Sequence, residues 1–173
     1  MKKTTVAAVL ALVMPILIHS AQAAPSGKSQ KFAKMAALSD MFEIEPSQLA
    51  LEKSDNQQVK DFAQTMVNDH QKTTEQLKDL AQKQDLRLLQ QPDRLHEAMV
   101  KQLKSASGAK FDARYTAMQL KGHKQAVALF ERYAKNGDNE QLKAWAEQTL
   151  PTLQTHLDHA QALEGKGHPQ ASR

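Results

Sequence analysis

One glutamate and three histidines lie on the apolar faces of four segments with helical periodicity: Glu43, His70, His123 and His156. Each is separated by three, four or seven residues from apolar or small residues, which is the spacing of side chains on one face of a helix. Neutral imidazoles bind zinc, iron and copper, and a carboxylate can complete such a ligand set. We therefore predict that these four side chains point inward and form a site for one transition-metal ion, either zinc, copper or iron.

A second interpretation keeps the same residues buried without a metal. A core histidine can be satisfied by a hydrogen bond to a carboxylate, a tyrosine or a backbone carbonyl. Glu43 can reach water from the edge of its helix or pair with a lysine. The sequence leaves both interpretations open. The other histidines are weaker candidates because they lie in the N-terminal segment, a short helix, a surface position and the tail: His19, His96, His159 and His168.

Four long helices are predicted to position the candidate residues, at 30–50, 54–83, 111–136 and 138–163. Ser54 or Asp55 is the predicted N-cap of the second helix and Asp138 that of the fourth, because each is followed three residues later by glutamine. Pro46 and Pro151 fall inside the first and fourth helices. Proline lacks the N–H donor and clashes with the preceding turn, so we expect a kink at each, or a division of the helix at Pro46.

A short amphipathic helix is predicted between the second and third long helices. It begins after Pro92-Asp93 and ends near Ser105, inside the longer connection. Nowhere does the sequence alternate apolar and polar residues as a half-buried strand does. These features predict an all-α protein, an up-and-down four-helix bundle with one accessory helix in the crossover.

The N-terminus has the order of a secretory signal peptide. Lys2 and Lys3 precede an apolar run at 6–18, and an Ala-Gln-Ala motif follows at 21–23. The apolar run is short for a bilayer-spanning helix, so we expect a periplasmic protein without an integral membrane segment after cleavage. The predicted organisation is a signal peptide at 1–23, a polar leader at 24–29, a bundle domain at 30–164 and a flexible tail at 165–173.

Charge and cysteine content exclude several classes of function. Removal of Lys2 and Lys3 from the 23 basic residues leaves 21 against 19 acidic residues, a formal charge of +2. The lysines are spread among acidic residues without a basic stripe, which argues against nucleic-acid binding. The chain has no cysteine, so it has no disulfide, thiol nucleophile or thiolate metal ligand. The sequence indicates no particular protein partner.

Several blocks in this chain form a recognisable set: Asp40-Met41-Phe42-Glu43, the segment from Phe62 to His70, Phe111-Asp112 with Tyr115, His123, and Thr149-Leu150-Pro151 with His156-Leu157. In this order, between Phe32 and Leu163, they resemble the bacterial ferritin-like family called domain of unknown function 4142. The resemblance implies a secreted four-helix bundle of ferritin-like topology. It implies no activity, because the family is named for lacking one.

Ferritin-like di-iron centres take glutamates from two helices and a Glu-x-x-His pair from each of the other two. Here the residues three positions before the candidate histidines are apolar: Val67, Leu120 and Leu153. The chain also lacks a nucleophile motif and a His-Glu-x-x-His sequence. We therefore predict a protein that is not an enzyme and that holds one metal ion, in metal handling or envelope stress. The alternative is a structural or interaction protein of the cell envelope.

Overall fold

A computed structural model describes residues 24–167 of the chain. Within this range the chain forms five helices and no strand: α1 (Gly27–Lys53), α2 (Gln57–Lys83), α3 (Arg94–Lys104), α4 (Gly108–Asn136) and α5 (Glu140–Gly167). The predicted all-helical class is confirmed. None of these helices combines the length and hydropathy needed to cross a lipid bilayer. The predicted signal peptide at 1–23 and the end of the predicted tail, at 168–173, lie outside the described residues.

The four long helices pack around a shared interior. Helix α1 lies against α2 and α4, and α5 lies against α4 and α2. Short connections join α1 to α2 and α4 to α5, as expected for neighbouring antiparallel helices. The short helix α3 contacts α1 and α4, and Asp93 caps it by accepting a hydrogen bond from the His96 N–H. The predicted accessory helix therefore exists and lies along one side of the long helices.

Buried apolar side chains form two separate clusters inside the protein. One contains Phe62, Met66 and Tyr115, and the other contains Phe32, Phe130 and Trp145. On three of the long helices a histidine stands between a residue of one cluster and a residue of the other. His70 separates Met66 from Leu77, His123 separates Leu120 from Ala126, and His156 separates Leu153 from Ala160. A polar layer therefore divides the core.

The first two helices begin at positions different from those predicted. Helix α1 starts inside the predicted leader at 24–29, because the Ser26 side chain accepts a hydrogen bond from the Ser29 N–H and caps it. The N-cap of α2 is Asn56 rather than Ser54 or Asp55. The Asn56 side chain accepts from the Gln58 N–H, while the Ser54 hydroxyl accepts from the Asn56 N–H in the turn.

The third and fourth long helices also begin or end at residues different from those predicted. Helix α4 begins at Gly108, three residues before the predicted start, in a backbone conformation with positive φ that favours glycine. Helix α5 begins at Glu140 rather than at Asp138, and Asn139 accepts the hydrogen bond from the Leu142 N–H. The carboxylate of Asp138 instead accepts from the Ser29 hydroxyl of α1 at 2.7 Å. At its other end α5 continues to Gly167, into the predicted tail at 165–173.

Both internal prolines lie within continuous helices. Pro46 lies in α1 and Pro151 lies in α5. Of the two alternatives predicted for Pro46, a kink or a division of the helix, the division is wrong, because only one backbone hydrogen bond is lost at a proline. Pro46 and the adjacent Ser47 are buried, and the Ser47 hydroxyl is 2.9 Å from the Tyr115 hydroxyl of α4. This bond ties α1 to α4 just after the proline.

Candidate metal centre

All four candidate residues lie in the polar layer that divides the core. Glu43 and His123 have no exposed surface, and His70 and His156 are each 2% exposed. They come from α1, α4, α2 and α5 respectively. The inward orientation expected from helical periodicity is therefore observed for every one of them.

The three histidine side chains converge on one point. One nitrogen from each of His70, His123 and His156 lies within 4.8 Å of the others. The ring centroids are 5.5 Å apart for His70 and His123, 5.4 Å for His70 and His156, and 5.3 Å for His123 and His156. We call these three residues the histidine triad. Glu43 does not belong to this group of converging atoms.

Each imidazole of the triad is held by a hydrogen bond at one nitrogen. Three contacts of 2.9 Å join His70 Nδ1 to Asp40 Oδ1, His123 Nδ1 to the Gln119 carbonyl oxygen, and His156 Nε2 to Asp69 Oδ2. Carbonyl and carboxylate oxygens accept, so the bonded ring nitrogen donates its N–H in each case. In a neutral imidazole the other nitrogen then carries a lone pair. These bonds therefore fix both the orientation and the tautomer of every ring.

The second nitrogen of each triad ring has no partner. His70 Nε2, His123 Nε2 and His156 Nδ1 are all buried without a hydrogen bond. Buried polar atoms in native proteins nearly always have a partner, and each exception needs an explanation. These three atoms belong to three rings that lie together between the helices, and imidazole lone pairs of this kind can bind a metal ion.

The pKa values of the three rings differ because burial lowers those of His123 and His156, whereas Asp40 outweighs burial at His70. Burial alone would lower the pKa of His70, but the hydrogen bond and charge of Asp40 outweigh burial and raise it above 6.5. Burial, with the charge of His70, lowers the pKa of His123 to about 3. The same two causes lower the pKa of His156 to about 4, against the opposing effect of Asp69. At neutral pH, His123 and His156 are therefore neutral.

Glu43 is a buried carboxyl group beside the triad. Its Oε1 lies 3.8 Å from His123 Nδ1, the nitrogen that is already bonded to the Gln119 carbonyl. Burial raises the pKa of Glu43 to about 8, although the charge of His70 and the side chain of Gln119 lower it in part. Neither carboxyl oxygen has a hydrogen bond of acceptable geometry. Glu43 is therefore a neutral acid at pH 7.

Gly122 of α4 provides the space that Glu43 occupies. A Cβ atom at position 122 would lie 2.3 Å from Glu43 Oε1. Because Glu43 is fully buried, its carboxyl group has no solvent to move into. We expect Gly122→Ala to lower the free energy of unfolding by about 1 to 3 kcal/mol, the range for overpacking a core. Denaturant unfolding measures this change.

Gly27→Ala is the matched control for this prediction. Gly27 is also helical, in α1, but a Cβ there meets nothing within 4 Å. The substitution should be neutral or stabilise the protein by up to about 1 kcal/mol through helix propensity. Combining Gly122→Ala with Glu43→Ala should remove most of the loss caused by Gly122→Ala alone. If Gly122→Ala behaves like Gly27→Ala, Glu43 does not pack against Gly122.

Sequence reasoning missed the groups that hold the triad in place. Asp40 accepts hydrogen bonds from Thr73 and Thr74 as well as from His70. The spacing of Asp40 could have indicated that it points inward, because Asp40 lies one turn before Glu43 on the same helix. Asp69 precedes His70 directly and therefore points away from it around α2, toward His156 of α5. The partner of His123 is the backbone carbonyl of Gln119, and the sequence could not have identified it because every residue has a backbone carbonyl.

Comparison with known families identifies the chain. The sequence model described as a domain of unknown function, DUF4142, matches residues 17–163. The chain belongs to the DUF4142 family. The resemblance seen in the sequence blocks is confirmed. A search of curated proteins found no match to this DUF4142 chain.

Three solved structures have a similar fold. A DUF305 protein from Streptomyces coelicolor has 13% identity and a TM-score of 0.71, covering 86% of this chain and 96% of that one. A DUF305 fragment from Deinococcus radiodurans has 13% identity and a TM-score of 0.73, covering 83% and 99%. CopM in its Cu(II)-bound form has 15% identity and a TM-score of 0.66, covering 80% and 97%. At this identity the similarity shows the fold alone.

Proposed function

We propose that this DUF4142 protein binds one transition-metal ion through the histidine triad, inside a ferritin-like, up-and-down four-helix bundle. The observation that carries the proposal is a buried group of three histidines, each with one nitrogen within 4.8 Å of the others and each with one nitrogen that has no hydrogen-bond partner. Each ring donates its other N–H to an oxygen. This second hydrogen bond is typical of metal-binding histidines, because it fixes the ring and makes the ligand nitrogen more basic.

The alternative is that the histidines only organise the core. A structural histidine is expected to have both nitrogens satisfied, since a buried group without a partner costs about 1 to 3 kcal/mol. The triad has three such atoms, so the metal-free arrangement is energetically unfavourable in a way that a bound cation would relieve. This difference favours a metal centre over core packing alone.

Zinc and copper suit a set of three imidazoles, and iron remains the third candidate. Nitrogens bound to one such ion lie roughly 3.3 to 3.6 Å apart at ordinary metal–ligand distances. One nitrogen of each triad ring lies within 4.8 Å of the others, so small movements of the rings are enough to reach this spacing. Glu43 adds a carboxyl group beside His123 that can ionise to offset the charge of the ion. CopM, solved with Cu(II), makes copper the first ion to test.

We further propose that the protein acts in the periplasm and is not an enzyme. The signal-peptide pattern at 1–23 supports this location. The positions that would carry the bridging glutamates of a di-iron centre hold Val67, Leu120 and Leu153. A single ion held by imidazoles suits metal handling or a response to envelope stress.

Thermal unfolding of the mature protein without a histidine tag tests the metal centre. At pH 7.5 and an ion concentration of about 100 times Kd, binding should stabilise the protein by about 2.7 kcal/mol. For a chain of this size that raises Tm by about 5 to 10 °C. His70→Gln keeps a polar side chain but removes the ligand nitrogen, so most of the shift should disappear. Elemental analysis of protein purified from the periplasm identifies the ion.

His159→Gln is the matched control, because His159 is an exposed histidine of α5, one turn beyond His156. It should keep the full metal-dependent shift. A Tm that does not change with zinc, copper or iron would favour the structural role instead. If His159→Gln reduced the metal-dependent rise in Tm as much as His70→Gln does, the ion would be bound outside the triad.

A further inference from the structure

A cavity of about 260 Å³ lies between α2 and α5 and extends inward as far as the histidine triad. Two of the three triad residues, His70 and His156, form part of its wall. The third, His123, is not part of the lining. The triad is therefore close to solvent-accessible space from the side of α2 and α5.

Asp69 links this cavity to a ligand ring. Its side chain lines the cavity and is 41% exposed, and its carboxylate accepts a hydrogen bond from His156 Nε2. A cation that reaches the cavity therefore meets an exposed negative charge one hydrogen bond away from the triad. Hydroxyl and amide groups also line the cavity, including those of Gln148 and Thr152, and such oxygens can replace part of the hydration shell of a cation.

The opposite side of the triad is closed. A groove bordered by α1, α3 and α4 has Phe42 and Gly122 in its lining. Behind Gly122 stands the carboxyl group of Glu43, so close that not even a methyl group fits between them. Glu43 has no exposed surface. An ion on this side would have to displace a packed, buried acid.

We propose that metal ions enter and leave the triad through the cavity between α2 and α5. The ion is then exchangeable cargo rather than a permanent structural component. The unpartnered nitrogens are shielded from solvent, so a ring must move to admit an ion. His156 is the ring that moves, because its partner Asp69 borders water whereas the partners of His70 and His123 are buried. This inference rests on the metal centre proposed above.

Filling the cavity tests the route. Gln148→Phe places a bulky side chain at an exposed position that lines the cavity, and Gln125→Phe does the same in the groove on the opposite side. Phenylalanine leaves Trp145 as the only tryptophan of the chain. Trp145 donates a hydrogen bond to Gln76, which lines the cavity, so its fluorescence should be quenched by Cu(II) bound at the triad. Stopped-flow mixing with Cu(II), followed by a chelator, measures uptake and release.

Gln148→Phe should slow both uptake and release by about tenfold while leaving the equilibrium Kd unchanged, because it obstructs the path and not the ligands. Gln125→Phe should exchange copper at the wild-type rate. Thr152→Phe, which fills the same cavity one turn further along α5, repeats the test in case the first side chain points outward. Lys72→Gln should speed uptake, because it removes the permanent positive charge of Lys72 from the lining.

The outcomes separate the route from the metal centre. If the wild-type protein binds no copper, zinc or iron, the metal centre itself is refuted. If the protein binds copper but Gln148→Phe and Thr152→Phe both exchange it at the wild-type rate, only the route is wrong. If Gln125→Phe exchanged copper more slowly than these two variants, the proposed route would also be wrong. The path would then lie on the side of α1, α3 and α4.

Discussion

The Glu43→Gln variant should be more stable than the wild-type protein above pH 8, by up to about 5 kcal/mol in the metal-free state. The reason is the pKa of Glu43, which burial raises from 4.5 to about 8. Glutamine has nearly the same shape and never ionises. We expect the two proteins to have similar stability at and below pH 4, where Glu43 is largely protonated in both the folded and the unfolded chain.

The sign of this effect follows from proton binding. Between pH 4.5 and 8 the unfolded chain has released the Glu43 proton while the folded chain retains it. The native state therefore binds more protons, and its stability falls as pH rises through this window. His70, whose pKa is also raised, contributes stability below pH 6.5 that is lost as pH rises through its folded pKa. Most of the His70 contribution remains in the variant, because Asp40 raises its pKa more than Glu43 does.

His123 and His156 have the opposite effect at lower pH. Their folded pKa values are about 3 and about 4, below those of the unfolded chain. The unfolded state therefore takes up two protons as pH falls below 6.5, and stability falls with it. Together with Glu43, this places the maximum stability of the metal-free wild type near pH 6.5.

Urea unfolding from pH 4 to 9, with a chelator present, measures stability on both sides of this maximum. Glu43→Gln should reduce the alkaline loss and make the acid side steeper, because Glu43 opposes His123 and His156 between pH 4.5 and 6.5. Equal alkaline losses in the wild type and in Glu43→Gln would show that Glu43 ionises in the folded protein as readily as in water. The raised pKa would then be wrong.

Helical periodicity was sufficient to predict which side chains point inward. His70, His123, His156 and Glu43 each recur with apolar neighbours at helical spacing, and all four are buried. Periodicity specifies the direction of a side chain around its helix, but it does not specify its height relative to side chains on other helices. This is why Glu43 could be predicted to be buried but could not be separated from the triad before the helices were packed together.

The first residues of the helices could not be predicted exactly either, because they too depend on contacts between distant parts of the chain. Ser54, Asp55 and Asn56 are three consecutive residues that can all cap a helix. The choice of Asn56 depends on the backbone path of the turn, in which the Ser54 hydroxyl already accepts the Asn56 N–H. Asp138, predicted as a cap, instead accepts a hydrogen bond from Ser29, which is distant in sequence. Local sequence patterns do not contain such long-range partners.

Zinc affinity should fall by about tenfold for each unit of pH below the pKa of His70, which corresponds to competition by one proton. Ligand imidazoles must be neutral, and His123 and His156 stay neutral down to about pH 4. Of the three triad rings, only His70 has a raised pKa. Three imidazoles with ordinary pKa values would instead compete with three protons, and affinity would fall by about a thousandfold per unit below pH 6.5.

Isothermal titration of the mature protein with zinc from pH 5 to 7.5 measures this slope. Asp40→Asn gives the decisive comparison, because the charge and hydrogen bond of Asp40 raise the pKa of His70 against the effect of burial. Without that charge the pKa of His70 should fall, and the pH range in which a proton competes with zinc should move to lower pH.

A slope of two protons that returns to one in Glu43→Gln would assign the second proton to Glu43. A slope of three in both proteins would contradict the lowered pKa values of His123 and His156, and with them the view that the folded protein holds two of its three ligand rings ready for a metal.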